Sequence, residues 1–493
     1  MRMGDVSQGA AAAFAILVLS PLCMAPSATA AAPTAERVKL QELKSLEGFV
    51  DGVMAQQIVN REVAGATIAI VHNGKVLFSK GYGFADIDAH TAVDPHETLF
   101  RPGSVSKLFT WTALMQQVEA GRIDLDADVN SYIDFTIPPY EGQSVLVRHL
   151  MSHSPGMSDV SGISVQKVED LTPYGDWIKS NIPERVWAPG TEIAYSNYGV
   201  ALAGYIVERV SGEPFADYVE NHIFKPLGMD STTFREPLPA EFEARMANGY
   251  ELEDGRLVAQ PFELFSNIMP AGSATSSAEN MARFMLAMLS DGRLGRTRIL
   301  KPESVRLLMS ASLANAPDLP GMAHGFYFVR KAAPTMVGHG GNTGDFHSNL
   351  ILAPEADFGF FVSVTGGNES SPGRTDLTNA IIGRVFPHEP APRAAAPEDE
   401  TPPLGSYRVN RRDYSQDPRP EFDITVAAAG DSAITVTFRD ETTYWERIGP
   451  MMYEKTTGAR AGGPYEHIQF HGDEDDFLLS FSTQPYMAFR RVK

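Results

Sequence analysis

The chain has 493 residues, 43% of them apolar and 21% charged, and a formal charge of -20. That length leaves room for two domains with ample core. The acidic balance argues against nucleic acid and anionic membrane surfaces, which favour basic patches, and accounts for itself as a solubility device.

The first thirty residues have the layout of an export signal. Arg2 supplies a thin positive start, Ala10 to Ala25 is an apolar run, and Ala28-Thr29-Ala30 offers small residues for cleavage. A signal peptide over residues 1–30 is therefore predicted, with the mature protein in the periplasm or the medium. Cys23, the single cysteine, lies inside this segment, and Leu22 before it is a poor fit to a lipoprotein anchor. After cleavage no thiol remains for a disulfide, a cysteine-based metal site or a cysteine nucleophile. No later run is apolar for long enough to span a bilayer.

Residues 36 to 60 are predicted to form an amphipathic helix, with Val38, Leu43, Leu46, Val50, Val53 and Met54 on one side. Two β-rich runs, Gly65 to His72 and Lys75 to Tyr82, meet at Asn73-Gly74, a strong hairpin signal. Phe100-Arg101-Pro102-Gly103 then reads as a strand end and tight turn. It leads into a helix that begins near Ser104 and carries Leu108, Trp111, Met115 and Val118 at helical spacing. From there to about residue 310 the pattern is mostly helical, with helices predicted at Val145 to Ser152, Asn197 to Ser211, Pro214 to Ile223 and Ala278 to Ser290. Strand character returns at Gly325 to Arg330, His347 to Leu352 and Phe358 to Val364, before a helix from Thr375 to Arg384. Strands at both ends of a helical middle imply one antiparallel sheet built from distant segments and flanked by helices, an α+β arrangement with an all-helical lobe.

A Pro/Ala/acidic stretch over residues 386–403 has no apolar period and is predicted to be a linker. Beyond it come six short β runs at Phe422 to Val426, Ala433 to Phe438, Tyr444 to Ile448, His467 to Phe470, Phe477 to Phe481 and Tyr486 to Arg490. Their spacing predicts a small antiparallel barrel or sandwich over residues 404–493. Its aromatic residues Tyr407, Tyr444, Trp445, Tyr453, Tyr465 and Tyr486 are expected to be mostly packing.

Three clusters could carry chemistry. Ser104 and Lys107 are three residues apart, so a helix stacks them on one face and sets an amine beside a hydroxyl. That pairing activates a weak nucleophile, and the helix start adds free N–H groups suited to an oxyanion. Tyr195 and Asn197 lie at a loop-to-helix junction, where a phenol and an amide can enter a cleft; a nearby lysine ammonium would lower the phenol's pKa and make it a base. Alone, the same pair reads as a packing aromatic and an N-cap. His339-Gly340-Gly341-Asn342 precedes the strand His347 to Leu352, and it reads either as a flexible hairpin loop or as an edge that a substrate can approach closely.

Taken in this order and with their flanks, the three clusters resemble the serine β-lactamase and penicillin-binding-protein superfamily, specifically its class C β-lactamase-related branch of D,D-carboxypeptidases, D-aminopeptidases and esterases. The resembling segments are Phe100 to Asp126, Val147 to Gly156, Pro189 to Gly212, Ile223 to Met229, Ala271-Gly272-Ser273 and His339 to Glu355. The resemblance implies a β-lactamase/transpeptidase-like fold over residues 36–385. It also implies an acylated nucleophile at Ser104, a partner base at Lys107 and a proton shuttle at Tyr195. Asn197 would bind substrate and position Lys107, His339, Gly340 and Gly341 would border the substrate, and the N–H groups of Ser104 and Asn342 would form the oxyanion hole. It implies no metal or organic cofactor, and a small ester, peptide or lactam as substrate. The chain departs from the family at His339, where many members carry the lysine of Lys-Thr-Gly. Mostly neutral at pH 7, His339 gives up a permanent attraction for a substrate carboxylate and favours neutral esters, amides or D-aminopeptidase-like substrates.

Other readings are weaker. His149 and His153 have zincin spacing, but Leu150 stands where the catalytic Glu belongs, and a structural role is expected for both. There is no Gly-x-Ser-x-Gly elbow. A penicillin-binding or cell-wall-peptide sensor without turnover is the non-enzymatic alternative. The C-terminal module resembles the small barrels appended to some D-aminopeptidases, which implies a role in restricting access to the active site.

Overall fold

The computed structural model describes residues 40–367, 370–387, 401–457, 465–473 and 476–492. The predicted signal peptide, Val38 and most of the predicted linker lie outside them. The described residues belong to one compact unit, Glu36–Lys493.

A seven-stranded antiparallel sheet forms the centre. Its strands are β1 (Gly65–His72), β2 (Lys75–Asp86), β3 (Thr91–Ala92), β4 (Tyr327–Arg330), β5 (Met336–Asn342), β6 (Phe346–Ala353) and β7 (Phe358–Thr365). They stand in the order β3-β2-β1-β7-β6-β5-β4, so the N-terminal hairpin is joined to the later strands by the pairing of Gly65 through His72 with Thr365 through Phe358. Both faces of the sheet are covered, and the period-2 alternation of a strand sorts the side chains between them. Ala66, Ile68 and Ile70 of β1, with Phe358, Phe360, Val362 and Val364 of β7, face helices α1 (Leu40–Val59) and α5 (Ser370–Val385). Ala69, Val71 and Phe361 face the other way, into the core of the helical lobe.

That lobe is organised by α2 (Lys107–Glu119), entered through a single 3-10 turn at Gly103–Ser106. Every residue from Lys107 to Met115 is buried, so α2 is enclosed all round rather than along one stripe. Phe109 sits at the meeting point of Phe224, Phe234 and Phe284, with ring centroids 5.0, 6.2 and 4.7 Å away and edge-on geometry. Packed against α2 is α3 (Asn197–Ser211), capped by the Ser196 hydroxyl, which accepts from the Gly199 N–H, and ended by Gly212 at φ 76°. Helix α4 (Ala278–Leu289) completes the lobe's cover of the sheet.

Residues 405–491 close into an eight-stranded antiparallel barrel. The six predicted β runs all contain strands, at Ile424–Ala428, Ala433–Phe438, Glu441–Gly449, His467–His471, Leu478–Phe481 and Phe489–Arg491. Two more were not foreseen, Gly405–Val409 and Met452–Lys455. Both are four or five residues long and half-polar, too short for a periodic signal. Tyr407, Trp445 and Tyr453 are core, whereas Tyr444 is exposed. The helical middle is also less helical than expected. It contains a hairpin at Gly249–Glu253 and Arg256–Gln260, and the helix predicted from Pro214 passes from α to π geometry at Glu220–Phe224.

Because Phe109 has edge contacts on three sides, Phe109→Ala leaves a cavity its neighbours cannot close. A loss of about 3–5 kcal/mol is expected, read as a lower urea midpoint with an unchanged slope.

Candidate active site

The Pro102-Gly103 turn releases the chain into the 3-10 turn that holds Ser104 at the floor of a cleft of about 660 Å³. One helical turn on, Lys107 Nζ lies 2.9 Å from Ser104 Oγ, 2.9 Å from Asn197 Oδ1 and within hydrogen-bond reach of the Ala271 carbonyl. The lysine is completely buried, and its pKa is depressed well below the ordinary value. Burial is the main cause, with a smaller push from the Arg411 guanidinium. A neutral amine with its lone pair toward a serine hydroxyl is a competent proton acceptor. Asn197, the first residue of α3, uses its side chain to hold Lys107, while the helix cap is made by its neighbour Ser196.

Tyr195 reaches the same point from the segment before α3. Its ring lies 4.9 Å from Lys107 Nζ and stacks on His153 at 4.2 Å and 26°. The expectation that a lysine ammonium lowers its pKa is overturned. Burial pushes the phenol up strongly, and the nearby Ser104 hydroxyl and Arg411 offset this only in part. The physical reason is that burial disfavours the charged form of both groups, raising the pKa of Tyr195 and lowering that of Lys107. Tyr195 rests as a neutral phenol, its hydroxyl buried without a well-formed hydrogen bond.

The His339-Gly340-Gly341-Asn342 cluster is not a hairpin loop but the end of strand β5, paired with β6 from Leu350 to His347. Its glycines serve close approach rather than flexibility. A Cβ on Gly341 would fall 1.9 Å from the Pro102 carbonyl oxygen and 2.8 Å from Ser104 N, and one on Gly103 would fall 2.9 Å from Asn342 N. The Gly340 N–H donates to the Tyr327 hydroxyl at 2.5 Å, toward the β4 side. Alternation along the strand turns the Asn342 N–H to the same side, next to the Ser104 N–H. Two backbone donors beside one hydroxyl have the arrangement that an oxyanion hole requires. His339 is buried, its Nδ1 2.6 Å from the Gly340 carbonyl oxygen, and burial with the nearby Lys107 brings its pKa down to about 3. It is an uncharged wall of the cleft, its ring 6.0 Å from that of Tyr195.

Sequence reasoning missed four residues that border this site. Arg374, from α5, lines the cleft and donates to the Ser348 carbonyl at 3.1 Å and to the side-chain oxygens of Asn342 and Asn349 at 3.4 Å. Arg411 and Tyr486 come from the barrel. Arg411 lies 4.7 Å over the Tyr195 ring, and its Nε donates to Asp159 at 3.0 Å. Tyr486 packs on Tyr195 and Tyr327 at 5.5 and 5.4 Å, and its carbonyl accepts from the Tyr195 N–H at 2.9 Å. His153 supports Tyr195 from below, its Nδ1 accepting from the Ser196 N–H at 3.1 Å. His149 likewise accepts from the Leu146 N–H at 3.1 Å, so each histidine satisfies a backbone donor. His339 is uncharged as expected, and the cleft lining also includes two arginines from distant segments, of which Arg411 is ion-paired with Asp159. Only the quoted Ala271-Gly272-Ser273 segment signalled the carbonyl that holds Lys107.

The family described as Beta-lactamase matches residues 47–383. Protein flp of Staphylococcus aureus (strain MW2) is 26% identical over 346 residues, 68% of this chain and 66% of flp. Two solved structures share the fold. The octameric penicillin-binding protein homologue from Pyrococcus abyssi superposes with a TM-score of 0.61 at 23% identity, over 90% of this chain and 100% of that one. The β-lactamase/D-alanine carboxypeptidase from Pseudomonas syringae superposes with a TM-score of 0.57 at 22% identity, over 70% of this chain and 100% of that one.

Since a Cβ at residue 341 cannot fit beneath the Pro102 carbonyl, Gly341→Ala must push β5 away from Ser104 and misalign the two N–H donors. A fall in kcat of about 10²-fold or more is expected for any acyl substrate, with far-ultraviolet circular dichroism unchanged.

Proposed function

Because the chain belongs to the β-lactamase family, we propose that it is an exported serine hydrolase that cleaves a small ester or amide bond through an acyl-enzyme on Ser104. The observation that carries this reading is the fully buried Lys107 amine 2.9 Å from the Ser104 hydroxyl. Ser104 Oγ attacks the scissile carbonyl and gives its proton to Lys107 Nζ, while the oxyanion forms against the N–H groups of Ser104 and Asn342. Collapse of the tetrahedral species breaks the bond to the leaving group, which takes a proton through the Tyr195 hydroxyl; Lys107 restores that proton. Water then enters, loses a proton along the same relay, and attacks the ester carbonyl to release the acid and free Ser104. Asn197 and the Ala271 carbonyl keep Lys107 in place throughout.

A specific observation favours a second substrate class. Arg374 and Arg411 line the same cleft as Ser104, so a peptide or lactam with a free carboxylate finds fixed cations there despite the neutral His339. This is the D,D-carboxypeptidase or β-lactamase alternative, and the Pseudomonas syringae neighbour combines those two activities in its own description. Arg374→Ala should lower kcat/KM about tenfold for a carboxylate-bearing substrate and leave a neutral ester nearly unaffected. Equal losses on both would remove the assignment of Arg374 to the carboxylate.

The decisive experiment offers p-nitrophenyl acetate, a D-amino acid anilide and a chromogenic cephalosporin in parallel to wild type and to Ser104→Ala. Wild type should turn over at least one, and Ser104→Ala none. Intact-mass spectrometry should show an acyl adduct that decays with time; an adduct that persists identifies a sensor instead. Lys107→Ala should slow acylation by about 10²–10⁴-fold with the fold retained. Protonation removes the accepting lone pair, so kcat/KM falls as pH drops through the Lys107 pKa. Since that pKa is depressed, the acid limb lies well below the range of an ordinary lysine. A pH–rate profile that rises only near pH 10 would contradict the role given to Lys107.

A further inference from the structure

The interior of the C-terminal barrel is only partly filled. Tyr407, Ile434, Tyr453, Ile468, Phe470 and Leu479 pack one portion. At one end the barrel opens into a cavity of about 680 Å³, whose apolar wall is Ile424, Val436, Trp445, Phe481 and Phe489 and whose other walls are polar, with Ser161, Gln416 and Gln484 among them. An eight-stranded barrel is just wide enough either to be filled by side chains or to hold one small ligand, and this volume lies in the roughly 300–1,000 Å³ range of small-molecule sites. Apolar walls of this size and shape suit a hydrocarbon chain or an aromatic ring.

The mouth of the cavity is charged. Arg408, Arg411, Arg412, Arg419 and Lys455 line it together with the carboxylates Asp413, Asp417, Asp423, Glu441 and Glu466, and all but one of these cations have a carboxylate partner. Arg408 is paired with Asp423 at 2.6 Å, Arg411 with Asp159 at 3.0 Å, Arg419 with Glu421 at 3.1 Å and Lys455 with Glu466 at 3.3 Å. Arg412 has no carboxylate partner among the described residues, and its guanidinium lies 3.8 Å over the ring of Tyr414. Its backbone is held in place, since the Arg412 carbonyl accepts from the Asp159 N–H at 3.0 Å. The neighbouring Asp413 is turned to the hydroxyls of Ser161 and Ser415, at 3.1 and 2.6 Å. The Ser104 cleft borders this cavity, and Arg411, Lys455 and Glu466 line both.

We propose that the barrel cavity is a second binding site, distinct from the Ser104 cleft, for an apolar carboxylate, with its hydrophobic part against Trp445, Val436 and Phe489 and its carboxylate on Arg412. The site does not depend on the hydrolase reading, because none of its proposed contacts takes part in the acyl transfer.

The test titrates the full-length Ser104→Ala protein with decanoate and with decan-1-ol by isothermal titration calorimetry, so that no turnover intervenes. Decanoate should bind one to one, and decan-1-ol about tenfold more weakly for want of the charged contact. Adding Arg412→Ala should bring decanoate down to the affinity of the alcohol. Adding Val436→Trp, which fills the space, should abolish binding of both. Decanoate binding that survives both substitutions unchanged overturns the proposal, as does no binding at millimolar ligand by a protein with an intact melting transition. If Val436→Trp fails to fold, the Arg412→Ala comparison decides by itself.

Discussion

The arrangement depends on a lysine held in the core of the helical lobe without a carboxylate to neutralise it. Lys107 is enclosed by α2, Asn197 and the Ala271 carbonyl, all of which offer oxygens but no negative charge. Burying an ammonium in such a place costs far more than burying an amine, so the site pulls the Lys107 pKa down. The partner left with an unused lone pair is then 2.9 Å from a hydroxyl. A carboxylate in place of Asn197 would hold the proton on Lys107 and extinguish the base. The surrounding lobe, with α2 buried all round and Phe109 locked among three rings, leaves Lys107 with no exposed surface.

The same burial governs the other titratable groups. Tyr195 is held protonated and His339 unprotonated, each by burial first. Burial thus shifts Lys107, Tyr195 and His339 each toward its neutral form, while Arg374, Asp376, Arg411, Lys455 and Glu466 bring charge to the lining of the cleft. Proton transfer from Ser104 to the Lys107 amine creates an ammonium beside the oxyanion, and the N–H groups of Ser104 and Asn342 offset the charge so formed.

The barrel belongs to this site as much as the sheet does. Asn410 donates to Glu192 and to the Ile193 carbonyl, and the Tyr486 carbonyl fixes the Tyr195 backbone, so the segment that presents the phenol is clamped from the barrel side. With Arg411 4.7 Å from its ring centre and His153 stacked on it at 4.2 Å, the phenol has little freedom to turn. A domain that looks appended in the sequence thus supplies a wall of the cleft.

What the sequence by itself determined was local. The hairpin at Asn73-Gly74, the Ser-x-x-Lys spacing on one helix face, the cap and stop of the helix from Asn197 to Ser211, and the β-rich C-terminal module all follow from short-range stereochemistry that a few residues dictate. Glycine-rich residues 336–342 were ambiguous because glycine favours no strand by propensity; their strand arises from pairing with β6 and from the space that Pro102 and Ser104 require. Only the tertiary structure decided the protonation of Lys107 and Tyr195, because burial is a property of everything packed around a group and not of its neighbours in the chain. It alone brought Arg374, Arg411 and Tyr486 to the cleft. Those residues lie roughly 270 to 380 positions from Ser104, a separation at which no periodicity or spacing carries a signal.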